Sequence, residues 1–291
     1  MGLSTKFELL KTVKMPLQIQ IYDCIVEYMN YKGIIVDAGK YGYFVLYDNQ
    51  DQKNDESLCS PAFFEQERKK IIEKIKNSIQ DDKKINIEID EFVHIKINDY
   101  EKINIECRLY LRLLPSNVYK LASILTVTCA QNNIPTHFKF TPSARTDNIV
   151  LYTNYDHVQK FVDIIDKICQ ENPKLFENSE KIHPLWGNIN GYIGFMEEPI
   201  VRAKMCENPL LYLPKSANIY RTKLLDEISY FYKTKSISPT FITTKFLRKF
   251  ASKLDIDASF FPLNESSAIE LEKAGYNISE IGTNANSTFT I

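Results

Sequence analysis

Alternating polar and apolar residues mark three strand-like runs between residues 104 and 154, and this pattern constrains the fold more than any other. In the first run, a period of two places Arg108, Tyr110 and Arg112 on one face and the apolar residues between them on the other. A core strand gains nothing from two arginines on one face. We therefore expect this face to meet water or an anion. Of these two, an anionic ligand would imply a binding or catalytic function.

The second and third runs continue this pattern. His137 and Lys139 share one face of the second run, opposite two phenylalanines and a threonine. Arg145 follows in a polar turn, and the third run ends at Tyr152. Basic and aromatic side chains therefore recur along the whole central stretch.

Two segments with apolar residues at helical spacing accompany these runs. Pro115 and Ser116 are predicted to begin a helix after the first run, and Asp156 another after the third. The order is strand, helix, strand, strand, helix. This order predicts an α+β fold, with a mixed or antiparallel central sheet flanked by helices, rather than an alternating α/β fold.

The regions around the central stretch suggest three parts. Residues 1–100 are predicted to form a helical N-terminal subdomain. Residues 101–275 are predicted to form the main domain, and residues 276–291 a polar, weakly attached tail. Three of the nine glycines fall within residues 187–194, which predicts a loop that bends or admits another backbone closely.

Composition argues against several kinds of partner. Lys plus Arg total 36 and Asp plus Glu total 37, so no global field attracts nucleic acid or an anionic membrane surface. No segment approaches the roughly 20 apolar residues of a membrane span, and the N-terminus lacks the apolar core of a signal peptide. The six cysteines are scattered without a CxxC pair, which predicts a reducing compartment. We therefore expect a cytoplasmic protein.

Common catalytic motifs are missing from the sequence. It contains no GxxxxGK[ST], no GxGxxG after a strand, no HExxH and no GxSxG. The four histidines lie far apart in sequence, and no pair has metal-ligand spacing. Kinase, dinucleotide-binding and zinc-hydrolase functions are therefore disfavoured, and we predict no metal and no cofactor.

Several segments occur in a fixed order within residues 104–232. They are RLYLRLLPSNVYKLASIL, then HFKF, then an arginine before a hydrophobic strand ending in Leu-Tyr, then GYIGFMEEP and YRTKLLDEISYFY. Together they resemble the bacterial phosphothreonine lyases of the OspF/SpvC type and, more closely, the HopA-type effector family of plant pathogens. That domain recurs as the lyase of some lanthipeptide (class V) and thioamitide biosynthetic pathways.

The resemblance implies β-elimination of phosphate from a phosphorylated peptide or protein, without metal, cofactor or water. Lys139 matches the family's general base, which removes the Cα proton of a phosphothreonine or phosphoserine. Arg145 matches a phosphate-binding arginine and Tyr152 a substrate-contacting tyrosine, and Arg221 is a looser match to a second phosphate arginine. Clustered arginines suit this chemistry because they bind a phosphate dianion bidentately and favour a neutral lysine by repulsion.

One segment departs from the family pattern. The effector lyases have Lys-Phe-His where this chain has Arg108-Leu109-Tyr110. Tyr110 is one candidate for the general acid, and His137 is the other. Arg108 and Arg112 are further candidates for contacts to phosphate, and pairing with neighbouring glutamates is the alternative for both.

Two function classes follow. The first is a phosphoserine or phosphothreonine lyase that makes dehydroalanine or dehydrobutyrine. It would serve lanthipeptide-like biosynthesis, with a partner kinase and with residues 1–100 recognising a leader peptide or a partner protein. Less favoured, it would act as a secreted effector against a host protein. The second is a non-catalytic HopA-like module that acts by protein–protein interaction, and the replaced Lys and His of the family keep it open.

Overall fold

The chain divides into two compact units in a computed structural model. The sheet unit comprises Leu46–Ile182 and Asn190–Gly194, and the terminal unit comprises Met1–Val45, His183–Ile189 and Phe195–Ile291. The structure describes residues 2–16, 85–90, 92–142, 147–177, 185–199 and 262–282, and isolated positions at 66–77, 179 and 217–260.

The described residues contain both strands and helices. The strands are β1 Ile85–Ile89, β2 Val93–Ile97, β3 Cys107–Leu111, β4 Thr136–Phe140, β5 Ile149–Thr153, β6 Gly187–Ile189 and β7 Ile193–Glu197. The α-helices are α1 Leu3–Thr12, α2 Pro115–Gln131, α3 Tyr155–Glu171 and α4 Glu265–Lys273. Short 3-10 turns occupy Tyr100–Lys102, Pro173–Phe176 and Ile278–Glu280.

Five strands of the sheet unit form an antiparallel sheet. Their order is β1-β2-β4-β5-β3, and each neighbouring pair is antiparallel. Helix α2 packs on β2, β4 and α3, and the ring of Tyr119 meets that of Phe140 edge-on, 5.7 Å between centroids. The prediction of an α+β fold with a central sheet flanked by helices is confirmed.

Local sequence signals set where the two central helices begin. Pro115 occupies the first turn of α2, where its missing N–H costs no hydrogen bond. Helix α3 begins at Tyr155, one residue before the predicted Asp156, because Asn154 caps it by accepting from the backbone N–H of His157 at 3.2 Å. The apolar residues at helical spacing that predicted α3 are buried, at Val158, Phe161, Val162, Ile165 and Ile168.

The predicted domain border between residues 100 and 101 falls inside the sheet. Strand β2 lies before that border and β4 after it, yet the two pair along their whole length. Residues 2–16, by contrast, belong to the terminal unit. Pairing between strands distant in sequence leaves no mark in local composition, which explains the difference. Residues 17–65 of the predicted N-terminal subdomain lie outside the described part of the chain.

The start of the predicted polar tail packs on the terminal unit. The ring of Tyr276 lies 4.7 Å from that of Phe7 on α1, and Ile281 is buried. A polar composition predicted weak attachment, and Tyr276 and Ile281 are apolar side chains that residues 276–282 contribute to the packing of the unit. The last nine positions, 283–291, lie outside the described residues.

The glycine-rich segment predicted as a loop contains strands β6 and β7, with the turn at Asn190 and Gly191, both at positive φ. Gly187 fulfils the expectation of close approach, because a Cβ built there would lie 2.6 Å from Val13 Cγ1. Val13 is fully buried and cannot easily move aside. The absence of a side chain at position 187 is therefore a packing requirement of the terminal unit.

Replacing Gly187 with alanine is expected to lower the free energy of unfolding by about 1–3 kcal/mol, because the added methyl overpacks the Val13 site. Urea denaturation followed by the fluorescence of Trp186, the single tryptophan, measures the change. Gly2→Ala is the control, since nothing lies within 4 Å of a Cβ there. Equal stability of the two variants would contradict the packing argument.

Candidate functional site

Two neighbouring rows of side chains cross one side of the sheet unit, which we call the polar face. Strand register sets both rows, because residues opposite each other on paired strands point to the same side. The first row is Lys96, His137, Tyr152 and Arg108, and the second is Glu88, His94, Lys139, Val150 and Tyr110. The predicted pairs Arg108 with Tyr110 and His137 with Lys139 therefore do share one face.

The opposite side of the sheet is apolar. Ile95, Phe138 and Leu151 alternate with residues of the polar face and are fully buried. Helix α2 packs on this apolar side, as its contact with Phe140 shows. The two polar rows therefore lie on the side of the sheet away from α2.

The first row is a stack of rings and cations. The guanidinium carbon of Arg108 lies 4.7 Å from the centroid of the Tyr152 ring. On the β4 side of Tyr152, the His137 ring is stacked at 4.4 Å with an interplanar angle of 19°. Tyr152 thus lies between the Arg108 guanidinium and the His137 imidazole. The Tyr152 ring holds the guanidinium by a cation–π contact.

His137 is surrounded by positive charge and rings. Its ring lies 5.4 Å from that of Tyr100, and its Nε2 lies 3.4 Å from Nδ1 of His94. Burial, followed by the charges of His94 and Lys96, lowers the pKa of His137 to about 4. The imidazole is therefore neutral near pH 7, which disfavours its predicted role as a general acid.

Lys139 and Tyr110 lie in the second row on either side of Val150. The Lys139 ammonium lies over the ring of Phe92, 3.8 Å from the centroid. Tyr110 is 1% exposed and Arg108 8%. We expected this face to meet water or an anion. On β3 its residues are buried, because alternation shows which residues share a face but not what covers them.

The other predicted site residues have different positions. Arg145 lies outside the described residues, between β4 and β5. Arg112 follows the end of β3 and is buried. Arg221 belongs to the terminal unit, where its buried guanidinium donates to the carbonyl oxygens of Glu197 at 3.0 Å and Pro262 at 2.8 Å. These acceptors give Arg221 a structural role, and its predicted role in phosphate binding gains no support.

Sequence reasoning missed the contribution of β2 and the turns around it. His94 and Lys96 alternate with apolar residues, which the sequence shows. The sequence does not show that this run pairs with β4 in the sheet. Lys96 bonds Glu88 at 2.5 Å and lies over the Tyr100 ring. These residues extend the cationic and aromatic rows by one strand.

Among the residues that the structure describes, no group of three or more His, Cys, Asp or Glu side chains is placed to hold a metal ion. No helix within the same described ranges is long and apolar enough to cross a membrane.

The fold and the polar face define an α+β protein with a cationic and aromatic surface on an antiparallel sheet. No protein-family model and no curated protein sequence matches the chain. A solved effector protein from Pseudomonas syringae pv. tomato strain DC3000 is similar in structure, with a TM-score of 0.54 and 12% identity over 84% of this chain and 96% of that one. A second, from P. syringae pv. syringae strain 61, has a TM-score of 0.41 and 14% identity over 68% and 81%. The first likeness shows that this chain shares its fold with a bacterial effector protein.

Proposed function

We propose that the protein is a phosphoserine or phosphothreonine lyase acting on a phosphorylated peptide or protein. The observation that carries the proposal is the placement of Lys139, His137, Tyr152 and Arg108 in adjacent rows on one face. These residue types match a base, a ring contact and a phosphate ligand. The four residues come from three strands, so sequence proximity alone does not bring all of them to this face.

The reaction would proceed by β-elimination. Neutral Lys139 takes the Cα proton of the phosphorylated residue, and the electrons of that C–H bond form the Cα–Cβ double bond. The Cβ–O bond breaks, and its electron pair leaves with the phosphate. The products are dehydroalanine or dehydrobutyrine, inorganic phosphate and a protonated lysine, so water is not consumed.

Arg108 is suited to bind the departing phosphate. Its guanidinium is buried and held over Tyr152, so a dianion would meet a cation of fixed position in a poorly solvated place. Arg108 and Lys139 lie two strands and one row apart, about 12 Å between Cα atoms. Both side chains are long enough to reach the phosphate and the Cα proton of one residue.

The Lys139 contact with Phe92 sets a requirement on the mechanism. A ring face stabilises an ammonium, whereas a general base must be neutral. Substrate binding would therefore have to separate Lys139 from the Phe92 ring. Arg108 and Lys96 share the face with Lys139, and cations there would oppose a further positive charge by repulsion. The carboxylate of Asp90, which interacts with Lys139, acts in the other direction.

Two biological settings fit this activity. In a biosynthetic setting a partner kinase phosphorylates a precursor peptide in the cytoplasm, as the resemblance to lanthipeptide and thioamitide lyases suggests. In an effector setting the protein is secreted and acts on a host phosphoprotein, and the shared fold with a P. syringae effector supports this alternative.

A non-catalytic binding module is the second candidate function. The contact of Lys139 with Phe92 and the burial of Tyr110 favour it, because both keep predicted catalytic groups occupied or enclosed. Such a module would bind a phosphorylated partner through Arg108 and leave it unchanged.

Intact mass spectrometry of phosphoserine and phosphothreonine peptides incubated with the protein separates these functions. Loss of the elements of phosphoric acid, giving a product that adds a thiol, supports the lyase. Loss of phosphate with a hydroxyl left behind indicates a phosphatase and rules the proposal out. If generic peptides do not react, a precursor peptide encoded beside this protein is the decisive substrate, and binding without reaction there supports the module.

Arg108→Gln is expected to weaken binding of a phosphopeptide by about 10- to 150-fold, the effect of losing charge-assisted hydrogen bonds of about 1.5–3 kcal/mol. Titration calorimetry with a phosphoserine peptide measures it. Lys102→Ala removes a cation that is 78% exposed in the same unit and serves as control. Because Arg108 is buried, circular dichroism shows whether Arg108→Gln folds, and Arg108→Lys is a second variant that keeps the charge. A folded Arg108→Gln protein with unchanged affinity would exclude Arg108 as a phosphate ligand.

A further inference from the structure

A chain of hydrogen-bonding groups leads from Asp90, before β2, through His94 on β2 to His137 on β4. His94 Nε2 lies 3.3 Å from Asp90 Oδ1, and His94 Nδ1 lies 3.4 Å from His137 Nε2. The Asp90 side chain is 67% exposed and that of His94 18%. The chain therefore leads from solvent to the half-buried ring that stacks on Tyr152.

Asp90 fixes the direction of the first bond. Its carboxylate accepts from the backbone N–H of Phe92 at 2.7 Å, and this bond, followed by the nearby charge of His94, lowers the pKa of Asp90. An ionised carboxylate can only accept, so His94 carries a proton on Nε2. When His94 is neutral, its Nδ1 is an acceptor, and the partner nitrogen of His137 must donate.

A proton added to His94 reverses the second bond. Protonated His94 has N–H groups at both ring nitrogens, so Nδ1 then donates to Nε2 of His137. A neutral His137 must in that state carry its own proton on Nδ1. The two protonation states of His94 thus require opposite tautomers of His137.

His137 can stay neutral through this change because its surroundings oppose a charge there. Burial and neighbouring cations lower its pKa, and the carboxylate of Glu88 acts in the other direction. The charged and titratable groups that face it are Glu88 on β1, His94 and Lys96 on β2, Tyr100 in the following turn, Tyr152 on β5 and Arg108 on β3.

We propose that His94, held by Asp90, is a positioning residue that sets the tautomer of His137, with His137 protonated on Nε2 beside neutral His94 and on Nδ1 beside protonated His94. The catalytic meaning of this switch rests on the proposed function, since it decides which ring nitrogen His137 offers beside Lys139. The tautomer itself depends on no activity and can be observed directly.

Long-range ¹H–¹⁵N correlation spectra of the full-length, ¹⁵N-histidine-labelled protein test the proposal. The chain has four histidines, and single replacements assign their signals. Spectra are recorded between about pH 8.5 and about pH 5.5. We expect His137 to show the Nε2–H tautomer beside neutral His94 and the Nδ1–H tautomer beside protonated His94, and to stay neutral in both states. In His94→Gln the tautomer of His137 should no longer depend on pH.

His157→Gln is the matched control, since His157 hydrogen-bonds Asn154 at the start of α3 and takes no part in the Asp90–His94–His137 hydrogen bonds. It should leave the change at His137 intact. A wild-type His137 that keeps one tautomer across the range, or that charges together with His94, overturns the proposal even if His94→Gln does not fold. An active lyase with a fixed His137 tautomer would contradict this inference alone. A protein that lacks lyase activity but shows the tautomer change would contradict only the proposed function.

Discussion

Lys139→Ala is expected to reduce the rate of phosphate elimination by about 10²- to 10⁴-fold, the usual contribution of a positioned general base. The reason is that no other lysine of the polar face lies in its row, between His94 and Val150. Single-turnover assays with a phosphoserine peptide, followed by thiol trapping of the alkene, measure the rate. Binding of the phosphopeptide should change far less than the rate, since Arg108 remains.

Lys120→Ala is the matched control for this prediction. Lys120 lies on an exposed position of α2, and α2 packs on the apolar side of the sheet. The control variant should retain the full rate. A Lys139→Ala protein that eliminates phosphate as fast as the control would exclude Lys139 as the base, while leaving the reaction class to be assigned to another residue.

Glu197→Gln is expected to lower the free energy of unfolding by about 3–5 kcal/mol, the cost of leaving a buried charge without its ionic partner. Lys6 Nζ lies 3.0 Å from Glu197 Oε1, and the two side chains are only 10% and 2% exposed. Glu197 also accepts from the backbone N–H of Asn264 at 2.5 Å. Glutamine keeps an acceptor for Asn264, so the loss isolates the charge. Urea denaturation followed by circular dichroism measures it.

A double-mutant cycle sharpens this prediction. Lys6→Met combined with Glu197→Gln should cost less than the sum of the two single changes, because neither charge is then left buried alone. The exposed pair of Lys11 and Glu8 on the same helix is the control, with side chains 31% and 63% exposed. Lys11→Ala should change stability little, since solvent screens that pair. Strict additivity in the Lys6–Glu197 cycle would contradict a direct ionic coupling.

The sequence by itself determined the local parts of the fold and part of the site. A period of two placed Arg108 with Tyr110, and His137 with Lys139, on common faces, and the register confirms both. Pro115 marked the start of α2. These features follow from backbone geometry and from the missing N–H of proline, which depend on neighbouring residues alone.

Only the tertiary structure decided which strands are neighbours. The pairing of β2 with β4 brought His94 to His137 and placed the predicted border between residues 100 and 101 inside one sheet. Backbone hydrogen bonds between strands use groups that every residue shares, so their partners cannot be read from local composition.

Burial was the other property that sequence left open. Tyr110 is enclosed, although it alternates with arginines, and Arg221 donates to backbone carbonyl oxygens of the terminal unit. A tyrosine or an arginine has the same local pattern whether its polar atoms meet a ligand, water or the protein. Which of these it meets depends on chain segments far away in sequence, because burial is a property of the whole packed unit.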